Sequence, residues 1–287
     1  MSIASARITG LRDIASSYDA ILCDVWGVLH NGIAAWPAAI DALTRFRRDG
    51  GIVVMITNAP RAFAQVVEQL ARLGVPAGTF DAVVTSGDVT RRLIAEKSKK
   101  PFHIGTSSDK SLYAGLDVHL SEPRDADAIV CTGLRNDRTE TPADYAALLA
   151  GLATLKLPFI CANPDIVVEL GDSLLWCAGA LARDYAALGG KTFIAGKPHS
   201  LIYRSARAKL DAIVGKTIET RRILAIGDGM PTDVKGAASA GLDLLYVSAG
   251  IHAGEYGESD TPDATALDCF MAKHNATPAA WLPRLVW

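Results

Sequence analysis

Long hydrophobic runs, paired cysteines and an excess of either charge are all missing from this chain of 287 residues, and each absence excludes a class of protein. No uninterrupted apolar stretch reaches the roughly 18 residues that a bilayer span requires, so no membrane partner is expected. Lys and Arg number 29 against 31 Asp and Glu, a net charge of -2. That balance leaves no electrostatic footprint for nucleic acid. The 5 cysteines stand singly, at positions 23, 131, 161, 177 and 269, with no Cys-x-x-Cys pair and an odd total. A disulfide framework and a zinc site are therefore not expected, and reduced thiols in a cytoplasm are. Met1 to Tyr18 has no basic start followed by an apolar block, so export is not expected either. Low-complexity tracts, charge blocks and internal repeats are also lacking.

What the chain does have is the composition of an ordinary soluble globular protein, 49% hydrophobic and 21% charged, at a length that allows one large domain or two smaller ones. Strand-like and helix-like segments alternate from end to end. Short apolar runs predict strands at 20–23, 52–56, 82–85, 102–104, 128–131, 159–162, 223–226 and 244–247. Between them, Pro37 to Arg48 opens on a proline suited to a first helical turn and ends before Gly50-Gly51, with Ile40, Leu43 and Phe46 on one face. Arg61 to Leu73 repeats the pattern with Phe63, Val66, Val67 and Leu70, and Pro198 to Val214 carries Ile202, Ala206, Leu210 and Ile213. Such alternation predicts an α/β protein with a mainly parallel sheet.

Two of the runs end alike. Ala20-Ile21-Leu22-Cys23 leads into Asp24-Val25-Trp26-Gly27, and Ile223-Leu224-Ala225-Ile226 leads into Gly227-Asp228-Gly229-Met230-Pro231-Thr232-Asp233. Parallel sheets bind ligands beyond the carboxyl ends of their strands, so Asp24 and Asp228 can meet in one site, and clustered carboxylates suit a hard cation such as Mg2+. Each aspartate alone is equally well read as a helix cap. A third run ends in Thr57-Asn58-Ala59-Pro60 ahead of a helix, where hydroxyl, amide and backbone N–H groups form a receptor for phosphate oxygens or an ordinary cap. A fourth, Phe193-Ile194-Ala195-Gly196, leads to Lys197-Pro198-His199, whose lysine can neutralise an anion in the same crevice or lie on the surface.

Residues 86–191 hold strands and helices of their own between two segments that look like halves of one site. The expectation is an inserted α/β domain at 86–191, with 1–85 and 192–287 forming the Rossmann-like core. Ser86-Gly87 and Gly189-Gly190 are the expected crossing points, where small residues permit hinge motion.

In order and type, the four segments resemble the haloacid dehalogenase superfamily of aspartate-nucleophile phosphotransferases. The closest likeness is to its class IIA sugar- and nucleotide-phosphatase members, whose C2-type cap lies between the second and third motifs. Val84-Thr85-Ser86 and Ala162-Asn163-Pro164-Asp165 add to the likeness. The resemblance implies Asp24 as nucleophile and Mg2+ held by Asp24, the Trp26 carbonyl, Asp228 and Asp233. Phosphate would be bound by Thr57, the N–H of Asn58 and Lys197, the last also countering charge during catalysis. Asn163, Asp165 and Trp176 are the cap residues expected to face substrate, although Asn-Pro-Asp is also a plain turn signal.

One residue departs from the pattern. Trp26 stands where phosphatases of the superfamily place a second aspartate, the general acid and base, and indole can do neither job. General acid-base help is worth about 10² to 10⁴ in rate. Either the leaving group needs no proton, or His30 or His199 supplies it, or the protein binds a phosphorylated ligand without turning it over. The first reading is a magnesium-dependent phosphatase of small phosphorylated metabolites, a monomer or homodimer, working through phospho-Asp24. The second is a catalytically weak binding or regulatory protein on the same scaffold. Halide release fits less well, because that chemistry does not need the apparent metal ligands Asp228 and Asp233.

Overall fold

The computed structural model describes residues 6–170, 173–258 and 260–287. The chain clusters into two compact units, one taking in the chain through Thr57, Val67–Val84 and Tyr203–Trp287, the other Asn58–Val66 and Thr85–Ile202.

The first unit is built on a seven-stranded sheet. Its strands run in the spatial order Ala6–Arg7, Ala280–Leu282, Asp243–Val247, Ile223–Gly227, Ala20–Cys23, Ile52–Thr57 and Ala82–Thr85. The central pairings are parallel, with Ile226 opposite Cys23 and Cys23 opposite Met55. From Ala20–Cys23 the chain builds outward through the strands at 52 and 82, and from Ile223–Gly227 it builds the other way through those at 243 and 280. The boundary between these two central strands is thus the point where strand order reverses. The two strands are buried throughout, which is why they read as unbroken apolar runs. Pro37–Arg48 is helical over the predicted span, with Ala39, Ala42, Leu43 and Phe46 buried and Ile40 only half-buried.

The second unit has a four-stranded parallel sheet in the order Thr192–Ile194, Phe159–Cys161, Ala128–Cys131 and Pro101–Ile104. Helices Ser86–Lys97, Ala146–Thr154 and Ala178–Ala187 accompany it. A core that includes Phe102, Ile129, Leu149, Phe159, Leu181 and Tyr185 holds it together. An antiparallel pair, Val167–Leu170 with Ser173–Trp176, completes it.

Four details of the structure differ from the expected spans. The strand at 192–194 was expected in the core domain, but Phe193 lies opposite Ile160, and that pairing places residues 192–202 in the second unit. Asn58–Val66 also joins the second unit, through bonds described below. The third helix begins at Ser200 rather than Pro198, and Phe63, expected on a buried face, is 55% exposed while Val66 and Leu70 are buried. Among the described residues no helix is long and apolar enough to cross a membrane.

Candidate active site

In the first unit the sheet carries Asp24 and Asp228 to the place where its strand order reverses. The N–H of Asp24 donates to the Ile226 carbonyl at 2.8 Å, extending the ladder one residue past its strand. Asp228 directly follows the neighbouring strand. One wide turn over Met230–Val234, closed by the N–H groups of Asp233 and Val234 donating to the Gly229 carbonyl at 2.8 and 3.1 Å, then brings Asp233 back. One carboxylate oxygen from each of Asp24, Asp228 and Asp233 lies within 4.8 Å of the others, and all three side chains are buried.

Backbone N–H groups orient these carboxylates. Val25 donates to Asp24 Oδ1 at 2.7 Å, Ile251 to Asp228 Oδ2 at 2.8 Å, and Gly229 to Asp233 Oδ2 at 3.1 Å. Glycines make the room. A Cβ at Gly27, whose φ is +84°, would lie 2.2 Å from Asp228 Oδ2; one at Gly250 would lie 1.9 Å from the same oxygen. A Cβ at Gly227 would lie 2.2 Å from Asp233 Cγ. Three buried carboxylates in a cradle that alanine would fill are a donor set of hard oxygens, which fits a divalent cation such as Mg2+.

The loop after Asp24 is closed by its own backbone, with Leu29 N donating to Val25 O at 2.8 Å and Gly27 N to His30 O at 2.9 Å. The half-buried Trp26 indole meets the His30 ring edge-on, centroids 5.0 Å apart. His30 is 2% exposed and its Nδ1 accepts the Gly32 N–H at 2.9 Å. Burial pulls its pKa down to about 4, so the imidazole is neutral near pH 7 and poorly suited to replace a missing acid. His199 is exposed, just ahead of the helix that starts at Ser200.

Thr57 ends the strand beside Ala20–Cys23 and is buried. The other expected residues belong to the second unit. There Asn58 is buried, its Oδ1 accepting the Lys197 backbone N–H at 2.7 Å and its Nδ2 donating to Asp165 Oδ1 at 2.8 Å. Lys197 is 2% exposed, far from the surface position that is the default for lysine. Asn163 Oδ1 accepts the Asp165 N–H at 3.1 Å, the turn its sequence signals. Trp176 packs against the second unit's own apolar core.

Sequence reasoning missed Gly250 and Ile251, the first clearing space for Asp228 and the second bonding to it. It also missed His252, whose Nε2 accepts the Met230 N–H at 3.1 Å and whose pKa burial lowers. Ser248-Ala249-Gly250 after an apolar strand, the same pattern as at Asp24 and Asp228 without a charge, was the available signal.

Comparison with known proteins agrees with this architecture. Family models described as haloacid dehalogenase-like hydrolase and HAD-hydrolase-like match residues 21–119 and 194–269. A crystal structure of a haloacid dehalogenase-like hydrolase from Brucella suis 1330 is 51% identical, covering 96% of this chain and 99% of that one, with a TM-score of 0.88. Ribonucleotide monophosphatase NagD of Escherichia coli K12 is 28% identical over 238 residues, 80% of this chain and 88% of its own. A glycerol phosphate phosphatase of Mycobacterium tuberculosis, solved in complex with magnesium, is 26% identical over 83% of this chain and 70% of its own, with a TM-score of 0.65. The chain belongs to the haloacid dehalogenase-like hydrolase family.

Proposed function

We propose that this hydrolase is a magnesium-dependent phosphatase of small phosphorylated metabolites that works through an aspartyl-phosphate on Asp24. The observation that carries the reading is the meeting of three buried carboxylates, Asp24, Asp228 and Asp233, on loops beyond two central parallel strands. Relatives named as a ribonucleotide monophosphatase and a glycerol phosphate phosphatase, the latter with magnesium, support it.

Asp24, Asp228, Asp233 and the Trp26 carbonyl would hold the ion. Bound there, Mg2+ supplies positive charge against the phosphoryl oxygens. A carboxylate oxygen of Asp24 attacks phosphorus as the bond to the leaving oxygen breaks, the electron pair going to that oxygen; water then hydrolyses the acyl phosphate, releasing orthophosphate and restoring the carboxylate. Thr57, the Asn58 N–H and Lys197 would bind phosphate oxygens. In this reading the inserted unit selects the substrate and limits it to small molecules. Five free cysteines fit a reducing cytoplasm.

A second reading, a phospho-ligand-binding protein with little turnover, is favoured by Trp26, because neither its indole nor the buried, neutral His30 is a proton donor matched to pH 7. Assaying phosphate esters and acetyl phosphate with Mg2+ separates the two. Hydrolysis that is lost in Asp24→Asn while the circular dichroism spectrum is kept supports the phosphatase; retained hydrolysis in the purified variant removes Asp24 as nucleophile.

A further inference from the structure

Asn58 and Asp165 are 107 residues apart, yet they join at 2.8 Å, and the same Asn58 side chain takes the backbone N–H of Lys197, 139 residues away, at 2.7 Å. One carboxamide therefore ties together three segments of the second unit: the start of 58–66, the turn after the strand Phe159–Cys161, and the turn after the strand Thr192–Ile194.

Each of the three is itself held. The Asn163-Pro164-Asp165 turn is set by Asn163 Oδ1 accepting the Asp165 N–H at 3.1 Å, and by Gly179, at the start of a helix, donating its N–H to the Asp165 carbonyl at 3.1 Å. A Cβ at Gly179 would lie 2.2 Å from the Pro164 carbonyl oxygen, so the helix start and the turn are in the closest approach that glycine allows. On the Lys197 side, a Cβ at Gly196 would lie 2.4 Å from Asn58 Oδ1 and 2.7 Å from the Pro164 ring. The third segment is anchored by Gly87 N donating to the Ala59 carbonyl at 3.1 Å. Only a glycine at 196 lets the Asn58 amide reach the next peptide N–H.

An asparagine amide that receives with one end and donates with the other transmits position. With Oδ1 facing the Lys197 N–H, the planar amide turns Nδ2 the other way, and Asp165 is the acceptor it meets there. We infer that Asp165 and the side chain of Asn58 are positioning residues for Lys197: the turn at 163–165 fixes the Asn58 amide, and the amide fixes the backbone from which the buried lysine extends. Asp165 thereby acts through Asn58 and not by touching substrate. The inference rests on the proposed phosphatase reading only for the task given to Lys197.

The test uses the full-length protein and a swap of the hydrogen-bond pair, with two readouts: hydrogen exchange at the Lys197 amide, and kcat/KM for acetyl phosphate with Mg2+. Asp165→Ala is expected to speed exchange at Lys197 about 10-fold or more and to lower kcat/KM about 10²-fold, the order that a misplacement of about 1 Å produces. Asp165→Asn keeps an acceptor oxygen and is expected to stay within a few fold of wild type. Asn58→Asp alone opposes two carboxylates and is expected to be worst. Asn58→Asp combined with Asp165→Asn restores one donor and one acceptor across the pair and is expected to recover both readouts. A double variant no better than Asn58→Asp overturns the inference, as does unchanged exchange in Asp165→Ala, or exchange that recovers without kcat/KM. If Asp165→Ala does not fold, the swap decides alone. A wild-type protein without turnover refutes the phosphatase reading, and the exchange arm then still decides the brace.

Discussion

Replacing Gly250 with alanine tests the cation site without touching a carboxylate. The added Cβ would lie 1.9 Å from Asp228 Oδ2, whereas ordinary contact begins near 3.4 Å, so the oxygen must retreat by about 1.5 Å. The backbone cannot easily give way instead, because Ser248 and Ala249 donate their N–H groups to the Leu282 and Pro283 carbonyls at 3.0 and 2.9 Å. The displaced carboxylate also loses the 2.8 Å bond from the Ile251 N–H. Magnesium tolerates little departure from near-octahedral contacts of about 2.0–2.1 Å, and disturbing a group that orients a ligand costs about 10- to 100-fold in affinity. Overpacking of this kind costs about 1–3 kcal/mol of stability, which leaves the fold measurable. Gly254→Ala is the control, since a Cβ there meets nothing within 4 Å. Calorimetric titration with Mg2+ is expected to show weaker binding in Gly250→Ala by one to two orders of magnitude and none of that loss in Gly254→Ala. Equal affinity in the two variants would falsify the placement of the cation between these three aspartates.

Two other outcomes follow from the same geometry. Trp26→Asp is expected to raise turnover of alkyl phosphates about 10-fold or more, because a carboxyl beside the Asp24 carboxylate has its pKa raised toward the range of a useful acid; a variant no faster than wild type on an ester such as glycerol phosphate shows that leaving-group protonation is not limiting. The imidazoles of His30, His103 and His252 are all held below their ordinary value of 6.5 by burial, His30 at about 4. The unfolded chain therefore binds more protons as pH falls through 6.5, so stability is full above that value and declines below it, by about 3 kcal/mol for His30 once pH has passed 4. Urea unfolding at pH 7.5 and pH 5 is expected to show a lower midpoint at pH 5, and equal midpoints contradict the buried, neutral assignment.

The parallel sheet and its aspartates were legible because each central strand is buried on both faces and each ends at the first charge. Ile52–Thr57 and Ile223–Gly227 differ from their predicted spans by one residue at one end. The reversal of strand order between Ala20–Cys23 and Ile223–Gly227 was not legible, since runs alone do not say which strands are neighbours. Ala6–Arg7 and Ala280–Leu282 are too short to show any period. The pair Val167–Leu170 and Ser173–Trp176 does carry a signal, two short mostly apolar segments separated by Gly-Asp. The two bonds of the Asn58 side chain were not legible, because its partners, Asp165 and Lys197, are more than a hundred residues distant and a side-chain bond across that separation leaves no local trace. Gly27 looks like a turn residue and Gly250 carries no signal of its own; only the approach of Asp228, whose Oδ2 a Cβ at either position would meet at 2.2 or 1.9 Å, shows why both are glycine.

Trp26 unites these strands of argument, because in the proposed reading its carbonyl would hold the ion while its side chain would decide proton transfer. The course of the backbone through position 26 is set by its neighbours: Leu29 and His30 both donate to the Val25 carbonyl, at 2.8 and 3.3 Å, Gly27 donates to His30 at 2.9 Å, and Gly27 takes a positive φ that few other residues tolerate. A carbonyl ligand at 26 would therefore be insensitive to the side chain, whereas proton transfer by that position would depend on the side chain entirely. Exchange of that side chain would leave the cluster of Asp24, Asp228 and Asp233 in place and, in the proposed reading, would restrict the site by leaving group. Among phosphorylated ligands, those whose departing oxygen is already a weak base lose least from the exchange, so on this scaffold acetyl phosphate is expected to be hydrolysed far faster than an alkyl ester of the same size.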